Sequence, residues 1–324
     1  MKKYVLLFAA VLLAAITCFS PKVWSWGFYG HRKINEMAVY TLPPGMIGFY
    51  KKHISFISNH AIDPDRRRFS DPEESCRHYF DSEFYAFQSF DSVPRRWDDA
   101  VAKYGIDSLR KHGIVPWHIL HTFYRLTLAF RENRPDLILY YSTDLGHYVA
   151  DAHVPLHTTC NYNGQFSNQE GIHAFWESRI PELYAESYDY FCGRACYIDN
   201  PSKVIWLALK ASIQATDSVL MFEARLNSTF PSDLKYIYET KGSKIQINYS
   251  EAYSSSYQKM LDNMVERRMV ESVRVLGGLW YTAWVNAGQP DLQNLENQAY
   301  ADSFKEAILR QELEWKRVDS LNFH

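Results

Sequence analysis

Apolar positions along this chain recur mostly at helical spacing, and strand-like alternation is scarce. Over residues 31–42, Ile34, Met37, Ala38 and Leu42 fall on one helical face. Residues 117–131 carry Ile119, Leu120, Phe123, Leu126, Leu128 and Phe130, behind a Pro116 that suits a first helical turn. A third helix is predicted over 135–154, opened by Pro135 and stopped before Pro155, which disfavours helix in the residue ahead of it. Residues 172–186 continue the pattern with Phe175, Trp176 and Ile180, where Pro181 predicts a kink or restart. Asn200-Pro201 caps a helix over 201–220. From 251 to 287 the periodicity is long, through Leu261, Val265, Met269, Val273, Leu276, Trp280 and Trp284, with Gly277-Gly278 as the place for a bend. Residues 292–320 read as a charged, amphipathic closing helix, and 59–75, 158–170 and 226–249 read as loops. With no repeat, low-complexity tract or linker, the pattern predicts one all-α, multi-helix domain over 26–324.

The first 25 residues read differently. Lys2 and Lys3 precede an apolar run from Tyr4 to Phe19, too short for a comfortable membrane span, and Val23-Trp24-Ser25 offers a small-residue cleavage site. The expectation is a signal peptide over 1–25, cut after Ser25, and a mature chain that begins at Trp26 in the periplasm or outside the cell. No later stretch reads as long and apolar enough to span a bilayer. Export would leave Cys76, Cys160, Cys192 and Cys196, an even number in an oxidising compartment, which suggests disulfides. Cys192 and Cys196 could close a small loop and Cys76 would then pair with Cys160; four free thiols are the alternative. The net charge of −2 argues against a duplex nucleic-acid partner. Aromatic residues make up 16%; they serve packing first and stacking platforms second.

The candidate chemistry concentrates in DLGHYVADAHVPLH, residues 144–157. His147 and Asp151, four apart, share a helix face, and His157 follows the helix-breaking Pro155. GIHAFWES then gives His173 and Glu177, again four apart. One such pair is an ordinary surface pair; two, with His157 between them, present imidazole and carboxylate as a zinc site needs them. His153 points off the His147 face and reads as structural or as a support behind the ligands. Further upstream, His31 lies in WGFYGH, and Asp63 precedes His78 by fifteen residues.

Together WGFYGH, the D-x-x-R of Asp63 and Arg66, RHYFD, HYVADAHVPLH and GIHAFWE resemble the zinc-dependent phospholipase C and single-strand nuclease superfamily, whose nuclease branch includes the fungal P-one and S-one enzymes. The resemblance spans residue 26 to about 180 with nine ligand positions in order, and YTAWVNAGQP at 281–290 is similar to the family's late helix end. It implies an all-α fold around three zinc ions. Trp26, through its amine and carbonyl, would hold one with His31. Asp151 would bridge to a second held by His78 and His147, with Asp63 as ligand or as the group that orients water. His157, His173 and Glu177 would hold the third. The implied reaction is phosphate-ester hydrolysis by a hydroxide shared between paired metals, zinc lowering the pKa of its water to roughly 7. Asp63 and Asp151 would serve it directly, and Arg66 would contact phosphate or buttress Asp63. The amine exists only after cleavage, so the precursor would lack one zinc site. Glu177 as last ligand and the sixteen-residue separation of His157 and His173 favour the phospholipase C branch; the spacings before His31 and His78, and HYVADAHVPLH itself, favour the nucleases; the loop 158–171 matches neither closely. The substrate is then a phosphodiester, either a phospholipid headgroup or single-stranded nucleic acid or nucleotide. Two readings of another class stand beside it: a zinc-binding module without catalysis, and a helical protein whose histidines coincide.

Overall fold

The computed structural model describes residues 27–85, 89–241, 244–295, 302, 304–310 and 313. Trp26 and the expected signal peptide lie outside the described residues. Helix α1, Phe28–Val39, buries Gly30, His31, Ile34, Asn35, Ala38 and Val39, so His31 rides on its core face. Short helices α2 (Pro44–Lys52), α3 (Ile54–Asn59) and α4 (Asp63–Arg67) follow. After further short helices at Ser82–Tyr85, Trp97–Tyr104 and Ile106–His112 comes a helical hairpin: α5, Val115–Arg131, and α6, Pro135–Ala152. Asn133 turns between them at φ 51°, a left-handed conformation that asparagine tolerates better than most residues.

Helix α6 is the axis of the molecule. Every residue from 142 to 159 is buried. Around α6 pack α1, α5 and the late helix α9, Met264–Asn286. Tyr50 and Trp280 are fully buried and both reach Ser142, at 2.8 Å to its hydroxyl and 3.2 Å to its carbonyl. The long helix α7, Pro201–Thr229, packs on α5, α6 and the turn at Pro155–Thr158, and α8, Glu251–Met260, packs on α7. All-α expectation and observed architecture agree, apart from one antiparallel hairpin, β1 (Tyr236–Lys241) and β2 (Lys244–Tyr249).

Several expectations are corrected in detail. The stretch 226–249 is not a loop: α7 continues to Thr229 and the hairpin takes the rest, with Tyr236 opposite Tyr249 and Tyr238 opposite Ile247. The segment 251–287 breaks at Asp262 and Asn263, both at positive φ, and not at Gly277-Gly278. Those glycines serve close packing. A Cβ on Gly277 would stand 2.1 Å from the Thr41 hydroxyl, and one on Gly278 2.9 Å from Ile198. Helix α7 is long and apolar enough to cross a membrane by length and composition, contrary to the sequence reading. Its inner face nonetheless packs in the core through Ile205, Trp206, Leu209 and Val219, and it carries the buried Glu223, which pairs with Lys235 at 3.1 Å. Of the expected closing helix over 292–320, Gln293–Leu295 form a 3-10 turn, 302, 304–310 and 313 are helical, and the remainder lies outside the described residues.

Among the described residues Cys76, Cys160, Cys192 and Cys196 are all free thiols, and neither expected disulfide is formed. Cys76 is buried and its thiol turns back to the Glu73 carbonyl at 3.1 Å, while Cys160 is exposed, its amide held by Glu83. Cys196 faces the Arg194 carbonyl across an irregular segment.

Candidate metal centre

Close approach of two helices creates the centre. Gly146 on α6 leaves no room for a side chain: a Cβ there would lie 2.1 Å from Asn35 of α1. Asn35 in turn donates to the His31 carbonyl at 3.0 Å. The tight crossing stacks the His31 and His147 rings at 3.9 Å. One turn on, Asp151 projects from the same face of α6 as His147. Pro155 ends the helix, and the 3-10 turn Pro155–Thr158 delivers His157. The Phe80 amide bonds the His157 carbonyl at 2.9 Å, locking the His78 segment against that turn.

The second His-carboxylate pair sits on a composite helix. Ile172–Ala174 is α-helical, Phe175–Arg179 is a π-turn, and Ile180–Tyr184 is α-helical again. Pro181 has no N–H to give the Glu177 carbonyl, so the ladder widens there, as expected of a restart at this proline.

Eight of the sequence-selected residues can now be placed. His78, His147 and Asp151 form one group: His78 Nδ1 lies 2.9 Å from Asp151 Oδ2 and 3.0 Å from His147 Nε2, and His147 Nε2 lies 3.2 Å from that same carboxylate. His157, His173 and Glu177 form another, with Glu177 oxygens 3.3 Å from His157 Nε2 and 3.0 Å from His173 Nε2. Asp151 links the groups, its Oδ1 3.5 Å from His31 Nε2 and 3.6 Å from His157 Nδ1. All are buried. These clusters of imidazole and carboxylate can hold metal ions.

Asp63 is not brought into the groups. It pairs with His60 at 2.7 Å and with Arg66 at 3.2 Å, which makes Arg66 its buttress. Asp65, two residues on, lies closer to the histidines of the groups. Its Oδ1 lies 3.7 Å from His78 Nδ1 and 3.8 Å from His147 Nε2, and it completes a third group with His31 and His147. Neither Asp65 oxygen accepts a hydrogen bond, although both are buried. A buried carboxylate that accepts no hydrogen bond is costly unless cations serve it; Arg68 stands 3.7 Å from Oδ1, and the donor set around the acid also fits a metal ion.

Backbone carbonyls aim the rings. Ala61 O holds His147 Nδ1 at 2.8 Å, His78 O holds His157 Nδ1 at 2.7 Å, and Tyr162 O holds His173 Nδ1 at 3.1 Å. Each leaves Nε2 for the cluster, the way metal-binding imidazoles are oriented. His78 is reversed: Nδ1 faces inward and Nε2 lies 3.4 Å from Glu74 Oε1. Glu74 also accepts from Tyr148, from Arg77 at 2.6 Å and from Arg67 at 3.2 Å, and Arg67 clamps Asp144 with two bonds of 3.2 and 2.7 Å. Reading the sequence missed this supporting shell; its one visible sign was Glu74 four residues before His78. His153 is structural. It is buried and back-bonds the Val149 carbonyl at 2.7 Å.

Charge follows from this packing. Burial, reinforced by the His147 charge, drives the His31 pKa well below its usual value. Burial opposes a proton on His147 as well, but Asp151 and Asp65 outweigh it and raise its pKa to about 9. Asp151 is held well below the carboxylate range, because His147 and His157 overcome the burial penalty. Burial pushes His173 down to about 4, leaving a neutral ring. Asp65 and Asp151 favour positive charge here, which Arg68, 3.7 Å from Asp65, supplies in part and which a proton on His147 or a divalent cation can complete.

No family model matches the chain, and no curated protein does.

Proposed function

We propose that the protein is a zinc-dependent hydrolase of phosphodiesters, of the phospholipase C type. The observation that carries this reading is the convergence of five buried imidazoles and the carboxylates of Asp65, Asp151 and Glu177 into three adjoining groups. Structural zinc sites close four ligands around one ion, whereas adjoining groups that share Asp151 and His147 suit neighbouring ions with open positions. The proposed cargo is three zinc ions per chain. His157, His173 and Glu177 would hold one. His78, His147 and Asp151 would hold a second, within reach of Asp65, and His31 with Asp151 would serve the third. Gly27 donates its amide to the Ser178 hydroxyl at 3.1 Å, and Ser178 follows Glu177, which supports counting the freed terminus of Trp26 among the donors of that third ion.

Bound zinc would supply an activated water and draw charge from the phosphate oxygens. The chain's own part is orientation. Carbonyls of Ala61, His78 and Tyr162 fix three rings, Glu74 fixes a fourth, and Asp65 is the acid best placed to steer a proton at the cluster. Glu177 and the sixteen-residue separation of His157 and His173 support the phospholipase branch. The nuclease reading rests on Tyr162, whose half-exposed ring stands 5.8 Å from His173, where a base could stack.

The test is a parallel assay of the mature, zinc-loaded protein on phosphatidylcholine, single-stranded DNA and RNA. Release of diacylglycerol is the expected result. Cleavage of the nucleic acids alone moves the protein to the nuclease branch. A fully loaded protein that turns over none of the three, nor a chromogenic phosphodiester, is a binding module.

A further inference from the structure

Behind the metal centre lies a cavity of about 770 Å³ that none of the proposed chemistry uses. Tyr148 and His118 stand between the two. The His118 ring meets Tyr148 edge-on at 4.5 Å, and Tyr148 meets His78 at 5.5 Å. Flat aromatic surface lines the cavity through Trp97 and Trp117, with Ile106 and Leu120 as further apolar wall. Four guanidinium groups share that wall, Arg77, Arg95, Arg96 and Arg110, against only Glu73 and Asp98. The volume lies in the range of small-molecule sites, whose walls are mainly apolar with a few placed polar groups.

The arginines differ in what they already hold. Arg77 is spent on Glu74 and Asp71, and Arg110 on Glu73 at 2.8 Å. Arg95 is not. Its nearest carboxylate, Asp91, stands 3.9 Å away, its Nη1 is shielded and hydrogen-bonded to nothing, and its one bond is a long 3.4 Å contact to the Phe90 carbonyl. Its guanidinium is held flat, 4.1 Å from the Trp206 ring and 4.8 Å from Phe90. A shielded donor without an acceptor is expensive, and a stacked guanidinium is already oriented to present its fork to an oxyanion. Arg96, beside it, is mostly exposed and adds charge with Asp99 only at 3.8 Å.

We propose that this cavity is a second, metal-independent binding site for a small anion that carries a flat apolar group. Arg95 takes the anionic head, carboxylate, sulfonate or phosphate, and the apolar body lies against Trp117 and Trp97. Because Arg77 lines the cavity and also holds Glu74, which holds His78, an occupant sits one contact away from a metal-orienting carboxylate.

Naphthalene-1-sulfonate is a suitable probe, since a sulfonate is a poor zinc ligand. Titrated into the protein with and without zinc, and followed by tryptophan fluorescence and calorimetry, it should bind once per chain with similar affinity in both states. Arg95→Gln should weaken it by about tenfold or more, the scale of a lost charge-assisted hydrogen bond. Ser202→Trp, a substitution at a wall residue on the first turn of α7, should block it while leaving the core untouched. Naphthalene methanol, which lacks the charge, should bind more weakly than the sulfonate. Absence of saturable binding, wild-type affinity in both folded variants, or binding that appears only with zinc would each overturn the proposal. None of these readouts depends on hydrolysis, so the phosphodiesterase reading can fail while this site stands.

Discussion

Asp63 and Asp65 are two positions apart on α4; Asp65 faces His78 and His147, whereas Asp63 faces His60. Two helical steps rotate a side chain by roughly 200°, so neighbouring acids in Asp-x-Asp point to opposite sides. Which one points inward depends on where the turn begins, and a motif read by spacing alone carries no such phase. That is why Asp63 was selected from the sequence and Asp65 is found at the centre. The two acids separate cleanly in a mutant pair. Asp65→Asn should cost about 100-fold in hydrolysis and release metal, whereas Asp63→Asn should cost less than about tenfold. Metal content by atomic emission, beside turnover, measures both; equal losses would return Asp63 to the centre. Glu74→Gln is a test of positioning. It touches no proposed substrate, yet it should lower zinc affinity about 10- to 100-fold by freeing the His78 ring. Competition with a chromogenic chelator reads that affinity directly, and the Glu74→Asp variant should restore part of it.

Among elements, α1 and α6 were legible because their apolar stripes are long and their ends carry proline or glycine signals. Their separation was not legible. It is set by Gly146 and Asn35, residues with no periodic signature. Gly146→Ala should push the helices apart, destabilise the fold by about 1–3 kcal/mol as overpacking does, and separate the His31 and His147 rings. Urea unfolding would show the first effect and loss of one metal equivalent the second; a variant of normal stability and metal content would break the link between this crossing and the site. The β-hairpin went unread for the opposite reason. Tyr236, Tyr238, Ile245, Ile247 and Tyr249 do alternate, around Gly242-Ser243 in the sequence, but most of that face is exposed, so no hydrophobic demand from the core marks it. The Asp262-Asn263 break was hidden because apolar spacing runs through it without interruption, while two residues at positive φ end one helix and begin the next.

Over the whole molecule, the motif-bearing half supplies donors and the second half supplies the wall behind them. Helices α7 and α9 carry none of the proposed ligands, yet α9 packs on α1, α5 and α6, and Arg268 of α9 donates to the His153 carbonyl at 2.8 Å. The arrangement makes stability depend on pH through His153 even when metal is stripped. Burial, with the neighbouring Arg268 charge, lowers its pKa from 6.5 to about 3. A depressed histidine pKa means that the unfolded chain takes up a proton between those values and the folded one does not. Stability from this group is therefore fully present above 6.5 and falls as pH drops toward 3, by about 2 kcal/mol at pH 5. His153→Leu removes the titration at the cost of one buried bond to Val149. Urea unfolding of metal-free wild type and variant at pH 7 and pH 5 should give a gap that shrinks by about that amount on acidification. Two curves that fall in parallel would mean that His153 takes up its proton as readily in the folded protein as in the unfolded chain, and that the packing of α9 against the end of α6 admits the charge.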